Sequence, residues 1–280
     1  MLLRCPMGLV DAFADGPFKG NPAGVCVVDT FPEDAVMQNI AFELNWSETA
    51  FVKKISENTF HIRWFAPEDE APICGHATLA AAYFLIENKF VIGSLVVFKS
   101  AAGLLTVRKE EKGQSSWLVM DFPVLHFDVC DSESEVNAVA SIFNEGESKV
   151  KIKQVLKDSL IYIAVLSSED EVANCVPNLE RLKMLPCRAV SVTAQADSHH
   201  DYDFVSRYFA PKVGISEDPV CGSAHCRLTP FWANVLKKDY LTARQLSRRG
   251  GSLQLSYCRD TKRVSIAGQA STILRGEVAI

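Results

Sequence analysis

Apolar and polar side chains alternate at period two in six stretches of the first half of the chain: 23–29 (AGVCVVD), 48–55 (ETAFVKKI), 59–66 (TFHIRWFA), 94–100 (SLVVFKS), 104–110 (LLTVRKE) and 116–123 (SWLVMDFP). Each predicts a strand. Two helical patterns interrupt them. One opens at Thr30-Phe31-Pro32-Glu33 and carries Val36, Ile40, Ala41 and Leu44 on one face; the other runs from Gly75 through HATLAAAYFLIEN and is apolar on every side. An all-apolar helix too short for a membrane must be surrounded by protein, so a sheet is expected to curl around it.

The second half repeats this programme. Strands are predicted at 159–166, 188–196, 202–210, 252–259, 263–270 and 273–278, with a helical segment over 169–185 and a helix from Gly222. The match extends to individual residues. Arg63-Trp64-Phe65-Ala66-Pro67 recurs as Arg207-Tyr208-Phe209-Ala210-Pro211, 144 positions on, and Pro72-Ile73-Cys74-Gly75-His76-Ala77 recurs as Pro219-Val220-Cys221-Gly222-Ser223-Ala224, 147 positions on. Self-similarity of this kind indicates two copies of one unit. The expected fold is α+β, with two similar, pseudo-symmetric domains, each a curled mixed or antiparallel sheet wrapped around a central apolar helix. The boundary is placed in the polar, turn-like stretch Asp121 to Glu147, giving domains 1–122 and 123–280, with the last strand able to return to the N-terminal domain.

Composition narrows the partners. The 280 residues are 48% hydrophobic and 22% charged, enough for one large core or two ordinary ones. The net charge of −5 is dispersed, and basic runs stop at pairs such as Lys53-Lys54 and Arg248-Arg249, so nucleic acid is not an expected partner. The longest apolar run, Ala77 to Ile86, is about half of what a bilayer-spanning helix needs, and Arg4, Pro6 and Asp11 break the N-terminal segment before a signal-peptide core forms. No membrane association and a cytoplasmic location are expected. Nine scattered cysteines lack the spacing of a disulfide framework and are expected to be reduced, several of them as small buried side chains.

In each copy a strand ends in Phe-Ala-Pro, a loop of four or seven residues follows, and Pro-x-Cys-Gly opens a helix. That places Cys74 and Cys221 where free backbone N–H groups and the positive helix end can receive a carboxylate or phosphate. Gly75 and Gly222 let such a ligand approach the backbone. A helix N-terminus also lowers a thiol pKa, which makes both cysteines candidate acid/base groups; against this, a cysteine before a buried helix is often only a small cap. Cys74-x-His76 and Cys221-x3-His225 lack the paired spacing of a zinc site, and no metal is expected. P-loop, GxGxxG, HExxH and GxSxG patterns are absent from the sequence. His199-His200 reads as solvated surface.

Four separated motifs, FADGPFKGNPAGVCVV (13–28), NWSETAFV (45–52), FAPEDEAPICGHATLAAA (65–82) and GISEDPVCGSAH (214–225), together resemble the phenazine-biosynthesis-like (PhzF-like) proteins, which share the two-domain fold of diaminopimelate epimerase. The resemblance implies an isomerase without a cofactor that moves a proton within a small carboxylate substrate in a cleft between the domains, and it suggests a homodimer. It also implies that Glu48 carries the proton, that His76, Asp218 and Ser223 orient the substrate, and that Asn21, Gly75 and Gly222 shape its pocket. Glu48 opens an apolar strand, where withdrawal from water would suit a group that takes and returns a proton; as a surface strand-end carboxylate it would do neither. Many PhzF-like proteins have Thr or Ala at Cys221. Here both cysteines are present, as in the racemases and epimerases of the same fold, so a Cys74/Cys221 amino- or imino-acid racemase is the alternative. A non-catalytic small-anion-binding or regulatory protein is the third reading.

Overall fold

Five strand pairings follow one another in the same order in both halves of the protein. The computed structural model describes residues 4–113, 115–144 and 150–279; Glu147, the predicted end of the linker, lies outside them. The chain divides into two units, one from the described parts of 1–122 and 265–280, the other from those of 123–264.

The first unit holds β1 (Arg4–Ala12), β2 (Asn21–Val28), α1 (Asp34–Leu44), β3 (Glu48–Ser56), β4 (Thr59–Phe65), β5 (Glu70–Ala71), α2 (Gly75–Glu87), β6 (Leu95–Ser100), β7 (Gly103–Lys112) and β8 (Ser115–Pro123). The pairing runs β1/β2 antiparallel, β2/β3 parallel, β3/β4 antiparallel, β4/β6 parallel and β6/β7 antiparallel. Parallel neighbours need a crossover, and α1 and α2 supply the two that this sheet requires. The strands surround α2, whose buried residues run almost continuously from His76 to Leu85 and include Ala80, Ala81 and Ala82. Three successive small side chains let strands approach from several sides, as the all-apolar pattern requires. Against the other face of the sheet, Met37 and Ala41 of α1 pack with Cys5, Met7, Cys26, Val28, Phe51 and Phe65.

The second unit holds β9 (Asp128–Val129), α3 (Glu133–Phe143), β10 (Ile152–Lys157), β11 (Ile161–Leu166), α4 (Glu169–Asn174), α5 (Leu179–Met184), β12 (Ala189–Gln195), β13 (Phe204–Phe209), α6 (Gly222–Leu236), β14 (Tyr240–Gln245) and β15 (Gly251–Cys258), while β16 (Arg263–Gly268) straddles the division. Its pairing is β10/β11 antiparallel, β11/β12 parallel, β12/β13 antiparallel, β13/β14 parallel and β14/β15 antiparallel. The last strand, β17 (Ala270–Ala279), pairs antiparallel with β1 of the first unit. Thr272 Oγ1 donates to Glu87 at the end of α2 at 2.6 Å, and Arg275 lies 2.7 Å from the same carboxylate.

Several elements differ from the sequence pattern, each for a physical reason. The polar stretch after Asp121 contains α3, whose N-cap Ser132 accepts from the Glu135 backbone N–H at 3.4 Å. The helical run over 169–185 is two short helices, because Pro177 cannot continue the first. Pro230 lies inside α6 and removes the N–H that Cys226 O would accept. The Leu125 N–H takes its place at 3.2 Å.

The repeat is also a repeat of one interaction. Arg63 grips Glu70 with Nε at 2.7 Å and a terminal nitrogen at 2.6 Å, and Arg207 grips Glu217 with distances of 2.7 and 3.0 Å. Each arginine lies over the phenylalanine two residues on, Arg63 over Phe65 at 5.1 Å and Arg207 over Phe209 at 4.9 Å. Each clamp ties a strand to the loop that leads into the buried helix. The environments differ. Arg207 also donates to the carbonyls of Val172, Ala173 and Cys175, whereas Arg63 shares exposed partners, Glu70 and Asp34. Register gives one further equivalence: Phe51 pairs with Arg63 and Val192 with Arg207, so the position of Glu48 on β3 corresponds to Ala189 on β12.

The two clamps should therefore differ in energetic weight. Arg207→Ala strands Glu217 and three carbonyls and is expected to cost about 2–3 kcal/mol. Arg63→Ala is expected to cost less than about 1 kcal/mol. Urea unfolding of both variants measures the difference.

Candidate active site

The turn between β1 and β2 fixes the first site residue. Gly20 has φ 66°, and a Cβ there would lie 2.2 Å from the Ala12 carbonyl oxygen, so glycine is required. The chain then enters β2 at Asn21, which is 1% exposed. Parallel pairing sets Ala23 beside Glu48, so β3 begins with its carboxylate next to the start of β2.

The third contribution comes from the start of α2. Cys74 is extended, with φ −143° and ψ 113°, and caps the helix; its carbonyl accepts from Thr78 Oγ1 at 2.6 Å and Thr78 N at 3.2 Å. One residue past Gly75, His76 turns into the unit. Its Nε2 lies 3.0 Å from Glu48 Oε2, and its Nδ1 lies 3.1 Å from Asn21 Nδ2 and 3.5 Å from Cys74 Sγ. Ser47 Oγ donates to Asn21 Oδ1 at 3.3 Å. Asn21, Ser47, Glu48, Cys74 and His76 thus form one connected group around the helix start. Beside it, a Cβ on Gly75 would meet nothing within 4 Å.

Burial alone would pull the His76 pKa down, yet Cys74 and Glu48 beside it hold it well above the ordinary imidazole value. The Cys74 thiol is itself pushed up, by burial first and by the Glu48 charge second, with His76 opposing. A neutral thiol offers little charge, so Glu48 is the partner that stabilises the imidazolium. Asn21 can serve either form of His76, because its amide presents a donor to Nδ1 or, turned over, an acceptor to Nδ1–H.

The second unit builds the matching helix start differently. Cys221 caps α6, and its N–H donates to Gln245 Oε1 at 2.9 Å; Gln245 Nε2 donates in turn to the Asp218 carbonyl at 2.6 Å. The Asp218 carboxylate accepts from Val220 N at 3.1 Å, and Ser223 Oγ lies 3.3 Å from Cys221 Sγ. Buried Arg227 donates to the Ser223 carbonyl at 3.2 Å and to Asp158 at 2.6 Å. Burial, joined by the Asp218 charge, pushes the Cys221 thiol up. The expectation of lowered thiol pKa values at the two helix starts is therefore corrected: both sulfurs are buried, and desolvation of the thiolate outweighs the helix dipole.

The predicted residues thus fall into two groups. Asn21, Glu48, Cys74, Gly75 and His76 lie together in the first unit; Asp218, Cys221, Gly222 and Ser223 lie together in the second. Ser47 and Gln245 were not singled out from the sequence. Ser47 stands next to Glu48 within the Asn-Trp-Ser-Glu-Thr motif and could have been found there, whereas Gln245 ends a strand without any motif.

The family model for phenazine biosynthesis-like protein matches residues 10–276. An uncharacterized isomerase from Pseudomonas aeruginosa is 43% identical over 272 residues, covering 97% of both chains. An uncharacterized isomerase from Halalkalibacterium halodurans is 37% identical over 280 residues, covering all of both. The crystal structure of a PhzF-family phenazine biosynthesis protein from Enterococcus faecalis superposes with a TM-score of 0.88 at 40% identity, covering 99% of this chain and 100% of that one. At the level of fold alone, a probable proline racemase from Agrobacterium radiobacter aligns with a TM-score of 0.63 at 11% identity, covering 99% of this chain and 93% of that one. The chain belongs to the phenazine biosynthesis-like family. Its architecture is the α+β fold that family shares with epimerases.

The two buried histidines near the helix starts make opposite contributions to stability. His225 Nδ1 donates to the Cys221 carbonyl at 2.8 Å, but burial draws its pKa down to about 4. The unfolded chain then binds the extra proton between pH 6.5 and 4, so stability should fall as pH is lowered through that window. The loss expected from His225 is roughly 3 kcal/mol at 1.36 kcal/mol per pKa unit. His76, with a raised pKa, contributes stability below pH 6.5 that is lost as pH rises through its folded value. Chemical unfolding of the wild type and His225→Phe at pH 6.5 and 4 should show a smaller acid loss in the variant.

Proposed function

We propose that this protein is a cofactor-independent isomerase that moves a proton within a small carboxylate substrate, with Glu48 as the general acid and base. The observation that carries this reading is the Glu48 carboxylate held 3.0 Å from the buried His76 ring. The names of the two bacterial relatives, both isomerases, support the reaction class.

A proton on a carbon next to a substrate carboxylate becomes acidic when the developing charge is stabilised. Glu48 removes it, and the His76 imidazolium compensates the charge of the carboxylate until the proton leaves. As Glu48 becomes neutral, that positive charge remains beside the substrate anion, where it lowers the energy of the charged intermediate. Glu48 then returns the proton to a second carbon. Asn21 and Ser47 keep the ring in line throughout, and the backbone N–H groups of Gly75 and His76 at the helix start receive the substrate carboxylate. The family resemblance alone assigns Asp218 and Ser223, at the second unit's helix start, to substrate orientation. The protein's partners in this reading are the small anion and a second copy of the same chain.

The two-cysteine racemase receives less support, because burial raises both thiols and leaves little thiolate at neutral pH. A protein that only bound anions would have no use for a Glu48–His76 pair, whose desolvation costs stability.

Incubation with a panel of small carboxylates in heavy water, read by mass spectrometry, tests the reading. A substrate found in this way is expected to lose deuterium wash-in by about 10²–10⁴-fold in Glu48→Gln. Equal wash-in in wild type and variant would remove Glu48 from the mechanism. Gly75→Ala should keep the thermal midpoint, since alanine favours the helix, while raising the substrate concentration needed for half-maximal wash-in.

A further inference from the structure

The sequence lacks paired metal-binding motifs, yet the fold brings three different donor atoms together. Cys74 Sγ, a His76 ring nitrogen and a Glu48 carboxylate oxygen all lie within 4.8 Å of one another. Glu48 Oε2 is 3.0 Å and Cys74 Sγ is 4.0 Å from His76 Nε2. Tetrahedral zinc with ordinary bond lengths separates nitrogen from oxygen and nitrogen from sulfur by about 3.3–3.6 Å. The nitrogen–oxygen and nitrogen–sulfur separations bracket that range, but the sulfur lies nearer Nδ1, at 3.5 Å, and within 4.8 Å of the carboxylate oxygen, so closing the three atoms on one ion takes a turn of the His76 ring and shifts of about 1 Å.

The chemistry of the donors selects the ion. A sulfur, an imidazole nitrogen and a carboxylate oxygen suit zinc rather than magnesium or calcium, and three protein ligands leave a fourth position open. The supports are rigid, since Cys74 and His76 open α2 and Glu48 opens β3. A ligating histidine also needs its other nitrogen held. With a metal on Nε2, Nδ1 carries a proton, and Asn21 with its amide turned over accepts it while Ser47 accepts from the Asn21 nitrogen.

We propose that Glu48, Cys74 and His76 form a capture site for one thiophilic divalent cation, zinc(II), in competition with substrate. Capture rests on donor geometry alone. Its effect on turnover rests on the proton-transfer reading above, because the ion occupies the reacting oxygen of Glu48 and the nitrogen that faces it. On binding, the Cys74 thiol loses its proton to solvent and the sulfur bonds to the metal.

Cobalt(II) added to the reduced full-length protein is the probe. A sulfur-to-cobalt charge-transfer band and strong visible bands should saturate at one equivalent and be bleached by one equivalent of zinc. Cys74→Ser should lose the charge-transfer band, and Asn21→Ala should keep it with affinity about 10–100-fold weaker. Cys258→Ser, which alters the exposed cysteine, should leave the spectrum unchanged. Circular dichroism confirms that each variant is folded, and His76→Gln serves as the second ligand variant. No band in the wild type, or a band that survives in folded Cys74→Ser, overturns the site. Wash-in on the same preparations separates the readings. Zinc binding together with undiminished wash-in in Glu48→Gln overturns the proton-transfer reading alone, and lost wash-in without a cobalt band overturns the metal site alone.

Discussion

A carboxylate and an imidazole are held together where water scarcely reaches, and much of the first unit can be understood as support for that pair. Burying both groups costs several kcal/mol per ion before their attraction is counted. The cost is met only if geometry is good and the remaining polar atoms are satisfied. Asn21 and Ser47 complete the ring side of the pair, and the parallel register of β2 and β3 brings Glu48 to them. Behind that register stands the left-handed turn at Gly20, whose missing side chain lets β2 begin beside the Ala12 carbonyl.

The duplicated frame did not duplicate the chemistry. Both units carry the same succession of strand pairings, and both clamp the loop before the buried helix with an arginine and a glutamate. The helix starts then diverge. One turns a histidine toward a carboxylate, whereas the other fixes its cysteine through the Gln245 side chain and places a serine two residues on. Packing and backbone pairing constrain the frame, while site residues are free to differ wherever they are not needed to hold it.

That distinction also governs what could be read from the sequence. The buried helix from Gly75 was legible because its neighbours in sequence decide its fate. Strands with mixed signals were not: β1 contains Pro6 and Gly8, and β14 is the short run YLTARQ. The helix α3 was obscured by the acidic, turn-like run DVCDSESE that leads into it, although Ser132 followed by Glu135 is a capping signature that marks its start. The site was half legible. Cys74, Gly75 and His76 share one motif, but Glu48 lies 28 positions before His76, and only the resemblance to a family joined them. Local pattern likewise suggested low thiol pKa values, because it reports the helix end and not the depth of burial.

Under the proposed proton transfer, the alanine that stands at position 189, opposite Glu48 in the repeat, has a stereochemical meaning. If one copy of the fold carries the only acid at this place in the register, the protein works as a one-handed tool. In the proposed reaction a single carboxylate touches one side of a planar intermediate, so the hydrogen it removes comes back to that same side, at another carbon of the delocalised system. Such a reaction relocates a double bond and leaves a mirror-image product out of reach.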